Sequence, residues 1–95
     1  YDGATKAFRQ VLELNPNHAE AHNNLGFIYL NSGDADRAIQ ENEAAVQLKP
    51  NLASAHFTLS VAYEQKGDRA SAAEHLQKYL EITGDDNPDG RPLSA

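Results

Sequence analysis

NHAEAHNNLGFIYLNSGDADRAIQENEAAVQLKP, residues 17–50, returns 34 residues later as NLASAHFTLSVAYEQKGDRASAAEHLQKYLEITG, residues 51–84. Nine aligned pairs are identical without a gap: Asn17/Asn51, Ala19/Ala53, Ala21/Ala55, His22/His56, Leu25/Leu59, Tyr29/Tyr63, Gly33/Gly67, Asp34/Asp68 and Ala38/Ala72. The first sixteen residues continue the register backwards, with Asp2, Ala4, Leu14 and Pro16 matching Asp36, Ala38, Leu48 and Pro50. Chance similarity between two helices does not hold turn residues and helix-face residues in step together. The chain is an internal repeat, and the repeat decides the fold.

Each unit reads as two helices joined by a tight turn. Asn17 has the side chain to accept from free amides at the start of the first helix, with Glu20 three residues on in a capping-box arrangement. Gly33 and Gly67 suit the left-handed residue that closes a helix, and Asp34 and Asp68 then cap the next one. Pro16 and Pro50 stop the second helix of a unit. Helices are predicted near 2–14, 18–31, 35–48, 52–65 and 69–82. One residue resists this pattern. Gly26 stands mid-helix, where glycine costs roughly 1 kcal/mol relative to alanine, so it must make room for something.

Composition agrees with an all-α chain. The 95 residues suffice for one small domain, and the 40% apolar share is dominated by alanine and leucine. The absence of cysteine leaves the redox compartment open, with a cytoplasmic setting the default. No apolar run approaches the roughly 18 residues of a membrane span, and no signal-peptide pattern is present. A start at Tyr1 and a lack of methionine lead us to expect a piece of a longer protein. Net charge is −6 without a basic stripe, which disfavours nucleic acid and anionic membranes as partners. Residues 85–95, DDNPDGRPLSA, read as a flexible polar tail or linker.

A helix–turn–helix unit of this length, carrying L-G-x-x-Y, then Ala, then Pro, resembles the tetratricopeptide repeat. The signature falls on Leu25, Gly26, Tyr29, Ala38, Ala45 and Pro50, then on Leu59, Ser60, Tyr63, Ala72 and Leu76, with Ala4, Phe8 and Pro16 in the half unit. The resemblance implies a right-handed helical-hairpin solenoid of five helices and two and a half repeats: 1–16, 17–50 and 51–84. It also departs from the family pattern. His22 and His56 occupy the usual Trp position, Asn42 a bulky position, Tyr79 a small one, and Gly84 the final proline. Gly26 is expected opposite Ala38, and Ser60 opposite Ala72, so that paired backbones approach closely. Leu25, Ile28 and Tyr29 then share the buried stripe.

The resemblance places the first helices of each unit on a concave side. Helical spacing there selects Glu20, Asn23, Asn24, Phe27, Leu30 and Asn31, followed by Ser54, Phe57, Thr58, Val61, Glu64 and Gln65. Apolar residues flanked by amides suit a peptide groove, although Phe27 and Val61 also suit packing between repeats. None of these twelve positions is basic, so an acidic tail is a poor ligand. A peptide with apolar anchors fits better.

Chemistry has little purchase. His18 and His22 share a helical face but lack a third ligand, so the expectation is no metal and no cofactor. His22 and His56 read as packing residues and His75 as exposed. No nucleophile elbow or phosphate loop is present, and no catalysis is expected. The expected function is a scaffold that binds a peptide segment of a partner protein. Competing readings are a structural or self-associating segment of a longer solenoid, joined through its uncapped ends, and the regulatory arm of an enzyme.

Overall fold

Turn chemistry sets the helix boundaries. In the computed structural model, residues 2–84 are described, and the predicted tail 85–95 lies outside the described residues. Five helices follow one another: α1 (Asp2–Leu14), α2 (Ala19–Asn31), α3 (Ala35–Leu48), α4 (Ala53–Lys66) and α5 (Arg69–Thr83). α1 and α3 each end two residues before a proline. Gly67 closes α4 with φ +86°, a left-handed conformation that side chains resist. Asp34 and Asp68 cap the next helices by accepting from the amides of Arg37 and Ser71, each at 3.1 Å.

One cap differs from expectation. α2 begins at Ala19 rather than at residue 18, which makes His18 the cap; its Nδ1 accepts from the Ala21 amide at 3.0 Å. Asn17 lies one residue too early and instead donates its backbone amide to Asn15 Oδ1 in the turn.

α2 packs on α3, α4 packs on α5, and α4 also rests on both α2 and α3. Leu25 and Ile28 of α2 and Ala38 and Ala45 of α3 form the first core, while Leu59 and Ala62 of α4 with Ala72 of α5 form the second. Burying a leucine side chain of this kind contributes about 1.5–3 kcal/mol. Small residues dominate the rest, so the helices sit close together. The closest approach explains Gly26. A Cβ there would lie 2.0 Å from Asn42 Nδ2 and 3.1 Å from the Ala38 carbonyl oxygen. Asn42 is fully buried and donates Nδ2 to that same carbonyl at 3.0 Å, so the glycine makes room for an amide as well as for a backbone.

Successive hairpins are joined by polar clasps in the same register. The Arg9 guanidinium donates to the Tyr29 hydroxyl, and one period later the Tyr63 hydroxyl donates to Glu43 Oε2 at 2.6 Å. That carboxylate, together with burial, pushes the Tyr63 phenol up to about 12. Tyr29 is therefore a half-buried residue at the boundary between hairpins, not a core residue. The Arg9 and Arg37 guanidiniums flank its ring at 5.9 and 5.7 Å.

The two packing histidines tie their hairpins to the preceding turn. His22 Nε2 donates to the Pro16 carbonyl at 2.9 Å, and His56 Nε2 to that of Pro50 at 2.8 Å. A carbonyl only accepts, so Nε2 carries the proton in both rings. The other nitrogen meets different partners: Glu41 Oε1 at 2.8 Å for His22, His75 Nδ1 at 3.0 Å for His56. With His56 protonated on Nε2, the neutral pair requires His75 to donate its Nδ1 proton. His75 is half-buried, contrary to the exposed position expected, because the rings of His56 and Tyr63 stack against it at 5.3 and 5.6 Å. Burial lowers its pKa, the His56 ring adds to the effect, and the Glu43 carboxylate opposes it.

Two outcomes follow from this packing. Gly26→Ala is expected to destabilise the chain by about 1–3 kcal/mol in urea unfolding, the usual cost of overpacking. Adding Asn42→Ala should relieve part of that loss by vacating the space. The second outcome concerns pH. The unfolded chain binds the His75 proton more tightly than the folded one, so stability is full above a pH of about 6.5 and drains as pH falls through the lowered folded value. Urea titrations at about pH 7.5 and pH 5 should show a smaller loss for His75→Gln than for the parent chain.

Candidate functional site

α2 and α4 carry the twelve positions selected by helical spacing, and the structure divides them into three groups. Glu20, Asn24, Phe27, Asn31, Ser54, Phe57, Glu64 and Gln65 are exposed, and Leu30 and Val61 are half-buried. Asn23 and Thr58 are buried. Asn23 Nδ2 donates to Ser54 Oγ at 2.7 Å, and the Thr58 hydroxyl donates to the Ser54 carbonyl at 2.9 Å. Asn23 thus ties α2 to α4, whereas the Thr58 bond lies within α4, and the surrounding exposed side chains form the accessible strip.

The apolar part of that strip is substantial. Phe27 is 53% exposed and Phe57 47%. Glu20 is not a free charge: the Lys49 ammonium donates to it at 2.7 Å from the end of α3 and holds its carboxyl below the usual range. Glu64 lies 3.9 Å from the Arg69 guanidinium. The strip is therefore apolar and amide-rich, with its acids partly neutralised at the edges.

Four of the twelve residues come together in one groove. Phe57, Val61, Glu64 and Gln65 line a space of about 460 Å³ with Ser60 and, from α5, Arg69, Ala72, Ala73 and Leu76. The contribution of α5 was not apparent from sequence. Leu76 falls on a signature position that implies burial, yet it is 42% exposed. Its neighbour Tyr79, which departs from the small residue expected, packs its ring on Phe57 at 5.2 Å. A second groove of about 470 Å³ lies across α1, α2 and α3, with Arg9, Tyr29, Arg37 and Glu41 among its lining residues. Nothing in the periodic pattern marked it, because it arises from side chains of both charges meeting across three helices.

The histidines singled out for metal chemistry are engaged elsewhere. His18 Nδ1 caps α2, and both nitrogens of His22 face oxygen acceptors. Among the described residues, no three side chains of histidine, cysteine, aspartate or glutamate gather into a metal-binding group. None of the described helices is long and apolar enough to cross a membrane.

Family comparisons agree with this geometry. One tetratricopeptide repeat family model matches residues 7–40, and another matches 33–95, more than half of the chain. The chain belongs to the tetratricopeptide repeat family. Solved structures of MamA are similar to this tetratricopeptide repeat chain. One is 32% identical, covers 85% of this chain and 47% of that one, and has a TM-score of 0.79. A second is 30% identical, covers 94% and 49%, and has a TM-score of 0.76. A third, designated MSR-1, is 31% identical, covers 92% and 50%, and has a TM-score of 0.79. The chain thus spans about half the length of these structures. No curated protein matches it in sequence. Fold, family and neighbours together support a protein-interaction repeat module.

Proposed function

We propose that this tetratricopeptide repeat module binds a peptide segment of a partner protein along the strip formed by α2 and α4. The observation that carries the reading is the exposure of Phe27 and Phe57, two large aromatic side chains on successive first helices. Apolar surface of this kind, flanked by Asn24, Asn31 and Gln65, offers anchor pockets together with hydrogen-bonding groups for a peptide backbone. Glu64 favours a basic residue on the ligand over an acidic one. Few side chains act as anchors, so affinity for a single segment falls in the micromolar range or weaker, a binding free energy on the order of −8 kcal/mol or less negative. No side chain on the strip is assigned a catalytic role, and the ligand is held by apolar contact and hydrogen bonds alone.

A second reading has its own observation. Val11 and Leu14 of α1 are exposed at the opposite end of the chain, an apolar surface suited to association between copies. Sedimentation over a range of concentrations separates the two: association that Leu14→Glu abolishes supports the second reading, and a monomer throughout supports the first.

The strip itself is tested by screening a peptide array against the chain and titrating the best binder by calorimetry. Phe27→Ala is expected to weaken binding about tenfold, the loss of one buried anchor, and Phe57→Ala at least as much. Retention of full affinity by both variants would remove the strip as the recognition surface.

A further inference from the structure

The groove across α1, α2 and α3 lies on the far side of α2 from the strip. Its α2 residues, His22, Leu25 and Tyr29, follow the spacing i, i+3, i+7, and Asn24, Phe27 and Asn31 of the strip repeat that spacing two residues on. Two residues turn a helix by roughly 200°, so the two sets face opposite ways. Two guanidiniums border this groove. Arg9 of α1 and Arg37 of α3 are exposed, and their guanidinium carbons lie 5.9 and 5.7 Å from the centre of the same Tyr29 ring. Both charges belong to this register alone: 34 residues on, the same positions hold Glu43 and Ser71. The second hairpin packs without them, so the fold does not account for their presence.

We infer that this outer groove is a second recognition site, independent of the strip, and that it takes a glutamate or aspartate side chain from an acidic segment of a partner protein. Arg9 commits one N–H to the neutral Tyr29 hydroxyl, and a guanidinium has five. Arg37 has Asp34 at 3.6 Å, but both side chains are open to solvent, and a pair of that kind is worth little. The remaining N–H groups suit a planar carboxylate, which accepts two of them in parallel. Leu12, half-buried in the same lining, gives apolar contact to the residue beside that carboxylate. Two acids set the size of the charge. Glu41 is bonded to His22 Nδ1 at 2.8 Å, and Glu13 is exposed. Both repel every unit of ligand charge, so the groove favours a singly charged carboxylate that reaches a guanidinium over a phosphate carrying close to two charges. The net charge of −6 does not forbid an acidic ligand. Charges beyond about 8 Å are largely screened at physiological ionic strength, and the groups in contact decide the outcome.

A labelled, end-capped peptide in which glutamates alternate with leucines serves as the probe, titrated against the whole chain by fluorescence anisotropy. Saturable binding is expected, weakened about tenfold or more by Arg9→Gln combined with Arg37→Gln and changed less than about twofold by Phe27→Ala, which alters only the strip. Replacing the peptide's glutamates by glutamines is expected to cost as much as the double substitution. Both arginines are exposed, so their loss spares the core, and circular dichroism checks that the variants stay folded. Arg37→Gln alone leaves the Arg9–Tyr29 contact in place and is expected to weaken binding about threefold or more. Four results overturn the assignment: no saturable binding up to about 1 mM, equal affinity for the glutamine peptide, binding that ignores the arginine substitutions, or binding that Phe27→Ala weakens as much as they do. So does a phosphoserine counterpart that binds about tenfold tighter, since the ligand is then a phosphate. A dimer, seen by sedimentation, that the double substitution dissociates also overturns it, since the occupant is then a second copy. Failure of the strip test leaves this outcome unaffected, because none of the twelve strip residues lines the groove.

Discussion

The close approach of α2 and α3 at Gly26 is the constraint from which the remaining packing follows. With a side chain at that position, the Asn42 amide and the Ala38 backbone could not occupy their places. The two helices lie near each other, and α4 touches both at once. The second hairpin reaches a similar geometry differently. Ser60 takes the place of the glycine and turns its hydroxyl to the Phe57 carbonyl at 2.7 Å. Satisfying the hydroxyl within its own helix keeps a small polar residue compatible with a buried position. Asn42 pays part of its burial back only incompletely, since its Oδ1 has no hydrogen-bond partner among the described residues.

Repeat symmetry fixes where polar groups meet, while the residue types decide what the meeting does. Positions 9 and 29 pair as a guanidinium and a phenol, and positions 43 and 63 as a carboxylate and a phenol. In the first clasp the tyrosine accepts, and in the second it donates. Likewise His22 faces a carboxylate where His56 faces an imidazole. One backbone arrangement thus sets different polar partners against the two rings.

The period, the helix spans within one residue, the aspartate caps and the fully buried Leu25 and Leu59 were all legible in the sequence. Each depends on local rules or on register alone. What could not be read depends on a neighbour. His75 reads as exposed in the sequence, and only the placement of His56 and Tyr63 on the facing helix covers it. Leu76 occupies a signature position and stays exposed, although its counterpart one period earlier, Asn42, is fully buried. Asn23 and Phe57 are equivalent in sequence, yet one is an interface residue and the other a surface residue. Register tells which way a side chain points, not whether anything stands in front of it.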